Sequence, residues 1–186
     1  MKILIASGGS GGHIFPALSV ISELQKRGNS FDVKVISGRK DIEKNILKKR
    51  GIESYQISVG PFPRRPNPSM RLFCAKFIKA IFETVSIISN FKPDVVVGFG
   101  GYVSCPVIIT ARFFGIPTII HEQNIKFGLA NKLLKHFSTV VAVSYQKTAV
   151  EAGLKKAVFT GNPIRDDLVK MEKDEALRKL NMPKAL

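Results

Sequence analysis

Short β-branched runs alternate along this chain with longer stretches in which apolar residues recur every three or four positions. The first pattern marks strands buried in a sheet, and the second marks helices with one apolar face. Their alternation predicts βαβ units around a parallel sheet with helices on both faces, an α/β fold of the Rossmann-like kind. The runs place strands at residues 3–6, 33–37, 53–57, 95–97, 118–120, 140–143 and 158–160. Helices are expected over 15–27, 42–50, 70–90, 107–114, 129–135 and 146–152, and from Arg165 onward. Gly28, Gly51 and Gly115 stand where helices should stop.

One stretch breaks the alternation. Pro61-Phe62-Pro63-Arg64-Arg65-Pro66-Asn67-Pro68 fixes too many φ angles and lacks too many donors for a helix or central strand, so it reads as an irregular surface loop. After Arg165 charged residues become dense, and the sequence closes on Met182-Pro183-Lys184 without another apolar strand. The expectation is a domain over 1–164 followed by the start of a connector over 165–186.

Composition narrows the class. With 186 residues, 45% of them hydrophobic, and a mean hydropathy of +0.09, the chain is expected to fold around a substantial core. Twenty-nine Lys and Arg against fourteen Asp and Glu leave a net charge of +15, which calls for an anionic partner. Nucleic acid, an acidic membrane surface and phosphorylated substrates all fit that charge, but no aromatic stacking platform or nucleic-acid motif accompanies it, so no nucleic acid is expected. Cys74 and Cys105 lack metal-type spacing, which argues against a disulfide framework or a zinc site and fits a reduced cytosolic setting. Met1-Lys2-Ile3-Leu4-Ile5-Ala6 reads as a first buried strand and not a signal peptide. No apolar run approaches the ~18 residues a spanning helix needs.

The candidate chemistry lies where strands hand over to helices. Ser7-Gly8-Gly9-Ser10-Gly11-Gly12-His13 follows the first strand, and Gly98-Phe99-Gly100-Gly101-Tyr102-Val103-Ser104-Cys105-Pro106 follows the fourth. Glycine lets backbone N–H groups approach an anion closely, and a helix N-terminus behind each loop adds a positive dipole end. A P-loop would need Gly-Lys-[Ser/Thr] at Gly12-His13-Ile14, and a dinucleotide loop would need glycine at position 14, so neither common phosphate fingerprint is met. Tight packing turns without a ligand remain the alternative for both loops. His13 is the sharper signal: an imidazole at a helix start among glycines reaches whatever fills the crevice and suits a base near neutral pH.

Two further turns belong to the same edge. His121-Glu122-Gln123-Asn124 presents polar side chains suited to a hydroxyl-rich ligand, although His121 and Glu122 are equally consistent with a structural pair that orients itself. Gly161-Asn162-Pro163-Ile164-Arg165 supplies a guanidinium suited to phosphate. Beside the proline-rich loop, Leu72, Phe73, Phe77 and Ala80 form an apolar stripe flanked by Arg64, Arg65, Arg71, Lys76 and Lys79, with Phe62 nearby. Core packing and interfacial membrane contact both explain such a stripe.

Together these four motifs, in this order, closely resemble those of the MurG family of bacterial UDP-N-acetylglucosamine transferases, which convert lipid I to lipid II in peptidoglycan synthesis. The resemblance implies a GT-B architecture of two Rossmann-like domains, of which this chain matches the N-terminal, acceptor-binding one. It implies that Ser10, Gly11 and Gly12 touch the donor side of the cleft, that both glycine loops cradle the acceptor pyrophosphate, and that Gly100, Gly101, Tyr102 and Ser104 of the second loop are substrate-binding. It further implies His13 as the base, Asn124 on the transferred sugar, Arg165 facing the donor, and His121, Glu122 and Gln123 as support. UDP-GlcNAc, an undecaprenyl-pyrophosphate-linked muramyl pentapeptide and the anionic inner leaflet of the cytoplasmic membrane are the implied partners, the last through Phe62, Arg64, Arg65, Leu72, Phe73, Lys76 and Phe77. The implied location is the cytoplasmic face of that membrane, peripherally bound. No cofactor is called for; a divalent cation is compatible with the sequence but not indicated by it. A non-catalytic membrane-binding subunit of a split glycosyltransferase is the alternative. Two positions depart from the family pattern: Ser10 stands where threonine is usual, and Cys105 replaces a common glycine.

Overall fold

The computed structural model describes residues 1–28, 30–39, 41–63, 69–151, 157–165 and 173–180. Strands β1 (Lys2–Ala6), β2 (Asp32–Ser37), β3 (Ser54–Gln56), β4 (Val95–Gly98), β5 (Thr118–Glu122), β6 (Val140–Val143) and β7 (Ala157–Phe159) form the sheet. Between them run α1 (Gly11–Lys26), α2 (Asp41–Lys49), α3 (Ser69–Phe91), α4 (Gly101–Phe113), α5 (Leu129–Leu134) and α6 (Gln146–Glu151), and α7 (Lys173–Lys179) follows β7.

Every strand pairs in parallel, in the order β3-β2-β1-β4-β5-β6-β7. The chain builds outward from β1 to β3, then returns to the other side of β1 with β4 and builds the opposite way. That reversal opens a crevice beyond the carboxyl ends of β1 and β4, where open α/β sheets bind ligands. Ala6 lies opposite Gly98 in register, so the two glycine loops leave the sheet side by side.

Alternation in β1 divides the core. Ile3 and Ile5 pack with Ile14, Leu18 and Ile21 of α1 and Leu47 of α2. Leu4 and Ala6 point to the other face, toward Ala80 and Ile88 of α3, Val107 and Ile108 of α4 and Leu134 of α5. Each Val, Leu or Ile side chain among these, fully buried, contributes roughly 1.5–3 kcal/mol before conformational entropy is subtracted. The sheet is therefore held from both sides, and the loops at its carboxyl edge rest on a rigid floor.

The two helices at the crevice start earlier than the apolar period suggests. α1 begins at Gly11, not residue 15, and α4 at Gly101, not residue 107. α1 opens on Gly11, Gly12 and His13, and in α4 Gly101, Ser104 and Pro106 interrupt the apolar run, so the period registers late in both. In both helices the proline, Pro16 or Pro106, lies inside the helix instead of at its start. The missing N–H removes the helical bond to the carbonyl four residues back, that of Gly12 or Tyr102. Strand β3 is shorter than 53–57 because it pairs only with β2, through Ser54, Tyr55 and Gln56. Among the described residues no helix is long and apolar enough to cross a membrane.

Candidate functional site

The first loop is shaped by what cannot fit beside it. A Cβ at Gly8 would lie 2.8 Å from Glu43 Oε2 and 2.9 Å from Val103 Cγ2. Gly9 then turns with φ +98°, and Ser10 caps α1 in an extended conformation without a side-chain capping bond. The opening amides of a 16-residue helix, at Gly11 and Gly12, thus have no side-chain cap at the sheet's carboxyl edge. Glu43, from the first turn of α2, accepts the Gly9 N–H at 2.6 Å and the Gly38 N–H at 3.1 Å. No sequence motif singles out this carboxylate, whose partner lies 34 residues away.

The second loop makes room for the first. A Cβ at Gly101, where φ is +75°, would collide with the Gly8 carbonyl oxygen and come within 3.2 Å of His13 Cδ2. At Gly100 a Cβ would stand 3.2 Å from the His13 ring and 3.2 Å from Asn131 Nδ2. The imidazole of one loop is therefore seated against the bare backbone of the other. The Tyr102 ring covers Gly9, and burial, with a smaller contribution from the charge of Glu43, raises the Tyr102 pKa. Ser104 is fully buried, and its hydroxyl bonds the Gly100 carbonyl at 2.8 Å and lies 3.2 Å from that of Ala6. It supports the loop from beneath, with its hydroxyl turned into the protein.

The polar cluster after β5 divides into two networks. Glu122 accepts the backbone N–H of Asn124 at 3.0 Å and its side-chain N–H at 2.9 Å through one oxygen. Its other oxygen accepts from Gly128 N and Asn131 Nδ2, each at 3.0 Å. His121 bonds elsewhere: Nε2 donates to the Gly161 carbonyl at 3.0 Å, which leaves Nδ1 to accept from Gln123 Nε2 at 3.2 Å. The two side chains do not pair with each other, contrary to the structural-pair alternative. Burial lowers the His121 pKa, partly offset by the Gly161 bond and the charge of Glu122. Gln123 also donates to the Phe99 carbonyl at 2.9 Å, which ties this strand end to the second loop. Asn124 itself is exposed, with its side-chain amide held by Glu122.

A cleft of about 640 Å³ takes in His13 of the first loop, Gly100, Gly101 and Tyr102 of the second and Glu122 of the strand end, whereas Ser10, Gly11, Gly12, Ser104, Asn124 and Arg165 are not among its lining residues. His13, Gly100, Gly101 and Tyr102 form its polar end, with Glu122 and Asn131 below. Phe62, Phe73 and Phe77 form one apolar wall, and Leu129 and Leu133 of α5 the other. The aromatic rings pack together, Phe62 against Phe73 at 5.2 Å and Phe73 against Phe77 at 5.9 Å. The stripe is thus divided: Ala80 is buried in the core, Phe73 and Phe77 are half-buried in the cleft wall, and Leu72 and Lys76 are exposed. Arg64 and Arg65 lie outside the described residues. Cys105 lines the cleft, and burial pushes its thiol up to about 11, so it stays protonated and unreactive at neutral pH. The Arg165 guanidinium sits 5.3 Å over the Phe15 ring, beside the start of α1. Pattern reading missed Asn131, a polar residue beside Lys132 in a short helix that is otherwise apolar. It is buried, and its Oδ1, like His13 Nδ1, has no hydrogen-bond partner among the described residues. Buried atoms left unpaired on a cleft wall are acceptor and donor positions available to a ligand. Among the described residues no cluster of His, Cys, Asp or Glu could hold a metal ion.

Comparison with known proteins gives this geometry a family. The glycosyltransferase family 28 N-terminal domain matches residues 3–143. The UDP-N-acetylglucosamine--N-acetylmuramyl-(pentapeptide) pyrophosphoryl-undecaprenol N-acetylglucosamine transferase of Thermoanaerobacter sp. is 41% identical over 181 residues, which cover 97% of this chain and 50% of that protein. The crystal structure of Acinetobacter baumannii MurG superimposes with a TM-score of 0.75 at 31% identity, covering 92% of this chain and 49% of that one. UDP-GlcNAc 2-epimerase from Neisseria meningitidis, at 22% identity and a TM-score of 0.70 over 97% of this chain and 51% of that one, shares the fold. The chain spans about half the length of the curated relatives it matches. It belongs to glycosyltransferase family 28, as a MurG-family N-terminal domain.

Proposed function

We propose that this chain is the acceptor-binding half of an inverting glycosyltransferase that moves N-acetylglucosamine from UDP-GlcNAc to an undecaprenyl-pyrophosphate-linked muramyl peptide. The observation that carries the reading is the seating of His13 between two glycine loops at the polar end of a cleft whose other end is apolar. A pyrophosphate with a sugar on one side and a polyprenyl chain on the other matches that division. The opening amides of α1 and α4 face its negative charge, the sugar lies toward His13 and Asn124, and the chain leads along Phe62, Phe73 and Phe77. On this reading residues 1–164 are the acceptor domain, and a second domain supplies most contacts to UDP.

The chemistry follows from the placement. The acceptor hydroxyl gives its proton to the His13 imidazole as its oxygen attacks the anomeric carbon of the donor sugar. The bond from that carbon to UDP breaks on the opposite face, UDP leaves with the electron pair, and the anomeric configuration inverts. Arg165 lies on the donor side of the crevice, where it can meet developing phosphate charge. Assayed with the donor-binding half, fused or mixed, His13→Ala is expected to lower GlcNAc transfer by about 10²–10⁴-fold. Transfer near the wild-type rate with an unchanged pH profile would remove His13 as the base.

The same reading makes the apolar rim a peripheral contact with an anionic bilayer. Exposed Leu72 and Lys76 flank the ring cluster, and the net charge of +15 favours an acidic surface. Co-sedimentation with anionic vesicles at low salt, weakened by Phe73→Ser and Phe77→Ser together, is the expected outcome; no sedimentation of the wild-type chain would discard membrane contact.

A further inference from the structure

Glu43 is a buried carboxylate, 5% exposed, whose hydrogen-bond partners are backbone amides. It stands directly behind the loop read above as a cradle for an anion. A negative charge there opposes the incoming phosphate, so anion binding cannot be the reason for its place. Capping of its own helix cannot be the whole reason either. A glutamate in the first turn commonly reaches back to the amides just before its helix, and the Gly38 bond is of that local kind. The shorter bond crosses to the first glycine loop, at 2.6 Å to Gly9.

That bond acts where the loop takes its shape. Gly9 holds φ +98°, and the next residues are Ser10, which caps α1, and the first turn that carries His13. The fit is close on every side: a Cβ at Gly8 would meet Glu43 Oε2 at 2.8 Å, and one at Gly9 would meet the Tyr102 ring at 3.0 Å. The carboxylate also occupies the Gly9 N–H, so this amide is not among the donors open to a phosphate, and Gly11 and Gly12 are left to serve.

We infer that Glu43 is a positioning residue for His13: by accepting the Gly9 and Gly38 amides it fixes the first glycine loop in the form that seats the imidazole against the second. The inference rests on the proposed role of His13 as base. Glutamine at this position keeps one acceptor but turns an N–H₂ group toward the other amide, so one bond is lost and two donors face each other.

The test is Glu43→Gln, assayed with the donor-binding half in the wild-type and His13→Ala backgrounds. The expected result is a fall in kcat of about a hundredfold, the scale of an ångström-sized misplacement, with the KM for UDP-GlcNAc unchanged. In the His13→Ala background the same substitution should cost almost nothing more, since the residue it positions is gone. A kcat within about twofold of wild type, or an equal loss in both backgrounds, would overturn the inference. Absence of any GlcNAc transfer by the wild-type protein would count against the proposed activity alone, because the clamp has its own readout. In the wild-type chain the Gly9 and Gly38 amides should exchange slowly with solvent, and Glu43→Gln should move the His13 ring resonances. Rapid exchange at both glycines would overturn the clamp even if the variant failed to fold.

Discussion

The two glycine loops are built on one plan and held in different ways. Each follows one of two adjacent strands, opens a helix with a glycine in its first turn and carries a proline inside that helix. The first is held by charge, through the Glu43 carboxylate on Gly9 and Gly38. The second is held by shape and by a neutral hydroxyl, with Ser104 beneath it and no space above Gly101. The difference fits a division of labour: the first loop presents a side chain that must be aimed, and the second presents bare backbone that must leave room for it.

Alanine at matched glycines should expose that division. Gly101→Ala forces a Cβ into the Gly8 carbonyl at a positive φ, and is expected to destabilise the chain by about 3 kcal/mol in urea unfolding. Gly12→Ala meets only the Ser10 hydroxyl, at 3.7 Å, so stability should hold or rise by about 0.5–1 kcal/mol. Transfer activity, in contrast, should fall with Gly12→Ala if a phosphate approaches that amide. Equal stability losses at the two glycines would erase the distinction between the loops.

The smallest effect concerns the strand end that steadies the second loop. His121 is buried with its pKa lowered from the usual 6.5, so the folded state prefers the neutral ring. Its contribution to stability is complete above that value and is lost as pH falls below it, because the unfolded chain takes up the proton more readily. The stability advantage of wild type over His121→Gln should therefore shrink between about pH 7.5 and about pH 5.5. An advantage that stays constant or grows on acidification would contradict this.

Most of the sheet was legible from sequence, because residues such as Ile3, Leu4, Ile5 and Val96 are β-branched or aliphatic and buried, with Val95 and Val97 half-buried beside them. The crevice was legible from its punctuation: glycines, His13 and polar turns at strand ends. Its supports were not. Glu43 and Asn131 read as ordinary helix residues, and only folding brings them to Gly9 and Glu122. The starts of α1 and α4 were missed for a related reason, since Gly11, Gly12 and Gly101 give no apolar period to follow. For Ser104, the sequence revealed the polar residue without revealing which way its hydroxyl turns.

The central claim is that the opening amides of α1 and α4 cradle a lipid-linked pyrophosphate. It is tested most directly by titrating the ¹⁵N-labelled chain with a short polyprenyl pyrophosphate. The amides of Gly11, Gly12 and Gly101 should shift together and saturate, with aromatic signals of Phe73 and Phe77 moving in step, while inorganic pyrophosphate moves only the amides. Shifts that avoid these glycines, or that scatter over exposed lysines and vanish at moderate salt, would contradict the account.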